Sequence, residues 1–129
     1  MKTIPLLLVI LFFTACSKEA DNCSQYGWIP IQEAKYLGKS TNNVNGQNGV
    51  FYDVSCIFNN SCYAINKIVT SKNGDTVVVK AEYILNTCTP CTQAYTRQTK
   101  TYAFTPPGNG TYYLKWEGIA NRVDTVTIP

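Results

Sequence analysis

INKIVTSKNGDTVVVKAEYIL, residues 65–85, is the stretch that decides the fold class. At its centre, Asn73, Gly74 and Asp75 form the pairs Asn-Gly and Gly-Asp, which favour a tight turn between two antiparallel strands. After the turn, apolar residues alternate with polar ones, and this period of two predicts a strand with one packed face and one solvated face. The residues predicted to pack are Val77, Val79, Ala81, Tyr83 and Leu85.

The segments that follow repeat the same alternation. Residues 96–104, 111–117 and 123–128 are predicted strands, and the segments between them are rich in Gly, Pro and Asn. Short strands spaced about ten residues apart are typical of an antiparallel sandwich or barrel. The fold class is therefore predicted to be mainly β. The inward side chains of these strands would be Tyr102, Phe104, Tyr112, Leu114 and Trp116.

The first half of the chain gives a weaker pattern. Residues 50–58 and 62–69 are strand candidates on either side of an Asn-Asn-Ser turn. Residues 28–31 favour the start of an edge strand, because Pro30 removes a backbone donor. The Gln-Glu-Ala-Lys sequence within residues 31–37 favours one or two helical turns. Residues 38–49 are dominated by Gly, Asn, Ser and Thr and are predicted to form an exposed loop.

The segment GTYYL, residues 110–114, followed by a closing strand, resembles the penultimate strand of immunoglobulin-like domains in bacterial extracellular proteins. The resemblance covers the second half of the chain and implies an antiparallel immunoglobulin-like β-sandwich. The chain lacks the paired core cysteines of many such domains. We expect a single domain over residues 23–129, with its clearest strands over 62–129.

The N-terminus has the composition of a secretory signal. Lys2 is followed by an apolar run over residues 4–13 and then by small residues. This run is too short to cross a bilayer as a permanent helix. The sequence FTAC, residues 13–16, resembles the lipobox of bacterial lipoproteins, with Phe13 where Leu is usual. The resemblance implies that residues 1–15 are removed and that Cys16 carries a diacylglyceryl thioether. An ordinary signal peptide with an incidental Cys is the alternative.

Residues 16–22 are polar after the first position and are predicted to form a flexible tether. Lys18, Glu19 and Asp21 resemble the charged export signal of surface lipoproteins of the Bacteroidota, although a solvated linker has the same composition. We therefore expect an outer-membrane lipoprotein of a bacterial cell envelope, attached to the membrane through its lipid anchor and facing the periplasm or the outside.

Five cysteines remain after Cys16, an odd number in a compartment where disulfides form. Proximity in the chain favours a disulfide between Cys56 and Cys62 and another between Cys88 and Cys91. Cys23 would then hold the unpaired thiol.

CTPC, residues 88–91, is a Cys-x-x-Cys motif, which in other contexts holds a reactive thiolate. Predicted strands flank it here, and no βαβ unit surrounds it, so a structural clasp is favoured over a redox site. A zinc site would require four reduced thiolates, and an oxidising envelope does not favour them. No metal or cofactor is expected.

The composition argues against several classes of function. The chain contains no His, which removes the commonest general base and metal ligand. The motifs of hydrolase triads and zinc proteases are absent, and the few carboxylates are separated along the chain. The net charge is +3, with the charges scattered, so nucleic acid is not an expected partner. An enzyme is not expected.

Nine Tyr and two Trp are many for a domain of this size. Aromatic faces bind both proteins and sugars. Trp28 and Tyr113 are the leading binding candidates, although strand residues half buried against their neighbours would have the same pattern. Three further aromatic residues are predicted to be exposed: Tyr36, Tyr52 and Tyr95.

These observations predict a non-catalytic envelope or surface lipoprotein that serves as a binding or structural module for a protein or glycan. The alternative is a thiol-disulfide redox or oxidant-sensing protein that uses Cys88 and Cys91. Two Asp-Thr-Val sequences also resemble the O-glycosylation acceptor of the Bacteroidota, and they imply modification at Thr76 and Thr125.

Overall fold

The computed structural model describes residues 22–40 and 48–129, and these residues form eight strands and no helix. The predicted signal peptide, the lipidation site Cys16 and the tether as far as Asp21 lie outside the described residues, as do residues 41–47 of the predicted loop. No helix long and apolar enough to span a bilayer occurs in the part of the chain that is described. The strands are β1 (Ser24–Ile29), β2 (Glu33–Ser40), β3 (Gly49–Phe58), β4 (Tyr63–Asn73), β5 (Thr76–Asn86), β6 (Thr96–Phe104), β7 (Gly110–Trp116) and β8 (Val123–Ile128).

The strands form a five-stranded and a three-stranded sheet. In the larger sheet, β5 is central. β4 pairs with one side of β5 along the whole length of the strand. β1 and β7 both pair with the other side of β5, and β8 lies beyond β7. The smaller sheet has the order β2-β3-β6. Every pair is antiparallel except β5 with β7, which run parallel.

Alternating side chains from both sheets build one core. On β3, every second side chain from Val50 to Phe58 points inward and is buried, and the facing strands of the larger sheet contribute Val77, Val79, Leu114 and others. Each large apolar side chain that is fully buried in this way stabilises the fold by about 1.5–3 kcal/mol. The predicted inward faces of β6 and β7 are confirmed. On β5, Val77, Val79 and Ala81 are buried, whereas Tyr83 and Leu85 are only partly buried.

The prediction of a mainly β, two-sheet sandwich is confirmed, and the immunoglobulin-like topology is not. In constant-type immunoglobulin domains, the last two strands join the third strand in one sheet. Here β7 and β8 lie in the same sheet as β1, β4 and β5. The periodicity of a sequence identifies strands and their inward faces, but it does not identify the partner of each strand.

The prediction of helical turns within residues 31–37 is wrong, because residues from Glu33 onward form β2, which pairs with β3. The local helix propensity of Glu-Ala-Lys is worth only tenths of a kcal/mol per residue, so pairing with the central strand outweighs it. A register shift between Tyr36 and Gly38 also interrupts the strand period. The predicted loop is shorter than expected, because β2 continues to Ser40 and β3 begins at Gly49.

The two ends of the sandwich differ in character. The disulfide end contains the start of β1, the turn between β3 and β4, and the loop between β5 and β6 (residues 87–95). The far end contains the tight turn at Gly74, the loop between β6 and β7, and the end of β8. The chain enters the described domain at the disulfide end.

Candidate binding surfaces and the disulfide end

The outer face of the five-stranded sheet carries the predicted binding residue Trp28. Trp28 is 55% exposed, and Tyr26, two residues earlier on the same face, is 57% exposed. Gly27, between them, points inward, where an added Cβ would lie 2.5 Å from the Tyr83 hydroxyl. The ring of Tyr83 therefore packs against the backbone of β1 at Gly27. This contact stabilises the strand that carries the two exposed aromatic residues.

Charged side chains surround Trp28. The Lys80 Nζ lies 5.6 Å from the centre of the indole ring, a cation–π contact, and 3.6 Å from Glu117 Oε2. Glu82 is the cross-strand partner of Trp28 on the same face. The surface is therefore aromatic with both signs of charge around it, which resembles the mixed chemistry of protein recognition sites.

Tyr113 lies on the same face but in a different place. It is 38% exposed on β7, between Thr76 on β5 and Thr125 on β8, its neighbours in register. The partners of Trp28 and Tyr113 on β5 are six residues apart, which corresponds to about 20 Å along a strand. One small ligand cannot contact both side chains. The two predicted glycosylation sites flank Tyr113, and their modification stays a prediction.

A groove of 310 Å³ lies between β2 and β8, where the open edges of the two sheets approach each other. Tyr36 and Lys39 line it from β2, and Asp124 lines it from β8. The Lys39 ammonium donates a hydrogen bond of 3.3 Å to the Thr127 carbonyl. Arg122 donates two hydrogen bonds of 2.9 Å to the Asp124 carboxylate. Lys39 and Asp124 thus both have hydrogen-bond partners within the protein. Charged side chains on edge strands also hinder further strand pairing.

Tyr52 forms the inner wall of this groove, and the prediction that it is exposed is wrong. It is only 2% exposed, because it lies on the inner face of the central strand β3. Its ring makes edge-to-face contacts with Trp116 at 4.7 Å and Tyr36 at 5.6 Å. Burial, with the nearby Asp124 carboxylate, raises the pKa of the Tyr52 phenol well above its ordinary value. Tyr52 therefore remains a neutral donor at any physiological pH.

The cysteines pair differently from the prediction. Cys23 bonds Cys88 and Cys62 bonds Cys91, with Cα atoms 5.2 and 5.3 Å apart. Cys56, predicted to be bonded, is free and buried, and Cys23, predicted to be free, is bonded. The prediction is wrong because Cys56 points into the core from β3.

Backbone hydrogen bonds hold loop 87–95 against both of its neighbours. Thr87 donates its backbone N–H to the Cys23 carbonyl at 2.8 Å, and Ser61 donates to the Thr92 carbonyl at 3.0 Å. Each cysteine of the Cys-x-x-Cys motif therefore faces a partner from a different segment. Proximity along the chain could not reveal these partners.

This pairing bears on the redox hypothesis. Cys88 and Cys91 are not bonded to each other, so a dithiol at this motif would require two separate disulfides to be reduced. In the described residues, no group of three or more Cys, Asp or Glu side chains could hold a metal ion. The two disulfides therefore fix loop 87–95 to two other segments of the chain.

A comparison with protein-family models matches residues 52–128, more than half of the chain, to the ORF11 beta-sandwich domain. The chain belongs to the ORF11 beta-sandwich domain family. No curated protein and no solved structure is similar enough to match the chain.

The ORF11 beta-sandwich match begins within β3 and ends at the last residue of β8. The groove residues Tyr52 and Asp124 lie inside it, as does Tyr113. Cys23 and β1, which carries Trp28, lie before it. The disulfide between Cys23 and Cys88 therefore attaches the N-terminal strand to the part of the domain that the family model describes.

Proposed function

We propose that this ORF11 beta-sandwich protein is a non-catalytic module of a bacterial cell envelope, anchored through a lipid on Cys16, that binds a partner protein or glycan. The single observation that carries the binding role is the exposed aromatic pair on β1, Tyr26 and Trp28, each more than half exposed. Trp and Tyr are the residues most enriched at binding hot spots, since they bury a large area with few rotatable bonds.

The position of the pair supports this role. β1 is paired with the central strand β5 and is fixed at its start by the disulfide between Cys23 and Cys88. Two aromatic side chains on such a strand lose little conformational freedom on binding. Lys80 and Glu117 beside Trp28 provide a charged rim, which contributes specificity more than affinity.

Two features support the envelope location. The first is the order of Lys2, the apolar run, the lipobox-like FTAC and the polar tether. The second is the pair of disulfides, since disulfides persist in exported proteins and are rare in reducing compartments. The absence of His from the whole sequence supports the proposal that the module is not an enzyme.

Affinity capture from a detergent-solubilised envelope extract tests the binding role. The immobilised full-length protein is compared with Trp28→Ala, Tyr113→Ala and Tyr95→Ala. Tyr95 is more exposed than Trp28 but lies at the disulfide end, so it is the matched control for the loss of a surface aromatic side chain. We expect capture to fall at least tenfold in Trp28→Ala, since hot-spot truncations cost about 2 kcal/mol or more.

Treating the extract first with proteinase or with periodate shows whether the captured species is a protein or a glycan. Equal capture by the wild type, Trp28→Ala and Tyr113→Ala would contradict a binding site on the outer face of the five-stranded sheet.

A further inference from the structure

The three segments that meet at the disulfide end of the sandwich carry no charged side chain. They are residues 22–32, 54–66 and 83–96, and none of them contains an Asp, Glu, Lys or Arg. The charged side chains that border this surface are Arg97, the cross-strand neighbour of Ile57, and Glu33, which form an ion pair with each other. An uncharged surface can leave water without the large desolvation cost of an ion.

The same end exposes an aromatic and apolar surface. Tyr95, in loop 87–95, is 85% exposed, and the neighbouring Ile57 is also exposed. Together with Phe58 and Tyr63 they line a shallow depression of 260 Å³. The rings of Phe58 and Tyr63 are stacked, with their planes 8° apart. The remaining residues of the loop are small or polar, with hydroxyl and amide groups that can bond to water or to headgroups.

This surface is held rigidly. Both disulfides end in loop 87–95, and the Thr92 N–H donates a hydrogen bond of 2.8 Å to the Ser61 hydroxyl. Because the loop is fixed at three points, little further conformational entropy is lost when Tyr95 contacts another surface.

We propose that this charge-poor end lies against the lipid headgroups of the membrane that holds Cys16. The inference rests on the proposed lipid anchor. Only six residues separate Cys16 from Cys23, so the chain between these two cysteines reaches at most about 25 Å. The first strand of the domain therefore starts next to the bilayer, and the disulfide end is the end that faces it.

The anchor makes weak contacts effective. A short flexible linker holds the domain at an effective concentration in the millimolar range, so a surface that binds lipid only weakly on its own is still docked for much of the time. Tyr suits the headgroup region, where its ring meets the acyl boundary and its hydroxyl stays hydrated. In this orientation β1 rises away from the membrane and its outer face, with Trp28, remains open to a partner.

Fluorescence quenching by spin-labelled lipid tests the orientation. Mature protein, purified from a lipoprotein-processing bacterium, is reconstituted in phosphatidylcholine vesicles that carry a nitroxide near the headgroup. Tyr95→Trp and Tyr113→Trp are compared, each in a Trp28→Tyr background, so that only the buried Trp116 adds common emission. Tyr113 lies on β7, whose residues 110–113 approach the far end, and is the matched control. We expect several-fold stronger quenching for the Trp at position 95.

Flotation of the same vesicles separates the two proposals. Protein that does not float with the vesicles would overturn the lipid anchor and this inference together. Protein that floats, with equal quenching at positions 95 and 113, would leave the anchor in place and overturn the docked orientation. Circular dichroism of both variants confirms that the strands are retained.

Discussion

At the scale of single residues, the clearest prediction concerns the reactivity of the Cys56 thiol. It is the one cysteine of the described residues outside a disulfide, and it is 0% exposed. Burial raises the pKa of its thiol to about 11, so the reactive thiolate is scarce at neutral pH. We expect iodoacetamide at pH 8 to leave Cys56 unmodified in the native protein and, in denaturant without reductant, to modify Cys56 but none of the four bonded cysteines.

Peptide mass spectrometry locates this modification, and Cys56→Val, which keeps an apolar side chain of similar size, is the control that should show none. Modification of Cys23 or Cys88 in the unreduced protein would contradict the disulfide pairing. Rapid modification of Cys56 in the native protein would contradict its burial.

Sequence patterns predicted most residue positions on β5, β6 and β7, because strict alternation identifies which side chains share a face. They failed at Tyr52, since alternation alone does not show that β3 is the central strand of its sheet and packs against the other sheet. Trp28 and Tyr113 were correctly predicted to be exposed, but the distance between them depends on how β1 and β7 share the edge of β5. That arrangement is a property of the whole sheet.

At the scale of elements, the two disulfides should differ in their contribution to stability. Cys23 and Cys88 are 65 residues apart in sequence, and Cys62 and Cys91 are 29 apart. In the chain-entropy model the longer loop contributes about 4 kcal/mol to the free energy of unfolding, and the shorter one about 0.7 kcal/mol less. Urea unfolding of Cys23→Ser/Cys88→Ser and of Cys62→Ser/Cys91→Ser measures both. A double variant as stable as the wild type would contradict the corresponding bond.

The turn between β7 and β8 provides a second element-scale prediction. Gly118 has a φ of 110°, and a Cβ there would lie 2.6 Å from the backbone N and O of Ile31. Gly74, in the hairpin turn, also has a positive φ but has open space around it. Gly74→Ala should cost only the backbone term, about 1–2 kcal/mol. Gly118→Ala adds a clash with the backbone and should cost about 2–5 kcal/mol in all. Equal losses in urea unfolding would contradict the close approach of the two segments.

Local elements were easier to predict than non-local ones, and the reason is physical. The hairpin of β4 and β5 was predicted because Asn-Gly specifies its turn within a few residues. β2 was not predicted, since its edge-strand conformation depends on pairing with β3 beyond a loop. The disulfides were missed for the same reason, because each joins segments that only the folded sheets bring together.

For the molecule as a whole, the groove between β2 and β8 shows what sequence reasoning cannot reach. Lys39 and Thr127, which meet across it, are 88 residues apart and belong to different sheets. No spacing or motif connects them. The aromatic surface of β1 could be anticipated from composition, whereas the charge-poor disulfide end appears only when three separate segments are assembled.

In the proposed arrangement, three parts of the domain face different surroundings. The disulfide end faces the membrane, the outer face of the larger sheet presents Trp28 laterally, and the far end points away from the anchor. This orientation, though not the exposure of Trp28, depends on the modification of one residue, Cys16.

The mass of the mature protein, purified from the detergent phase of a lipoprotein-processing bacterium, tests that dependence most directly. We predict a chain that begins at Cys16 and carries a diacylglyceryl group, while Cys16→Ala leaves the detergent phase or remains unprocessed. A mature protein that begins at another residue, or a Cys16 that carries no lipid, would contradict the envelope-anchored module.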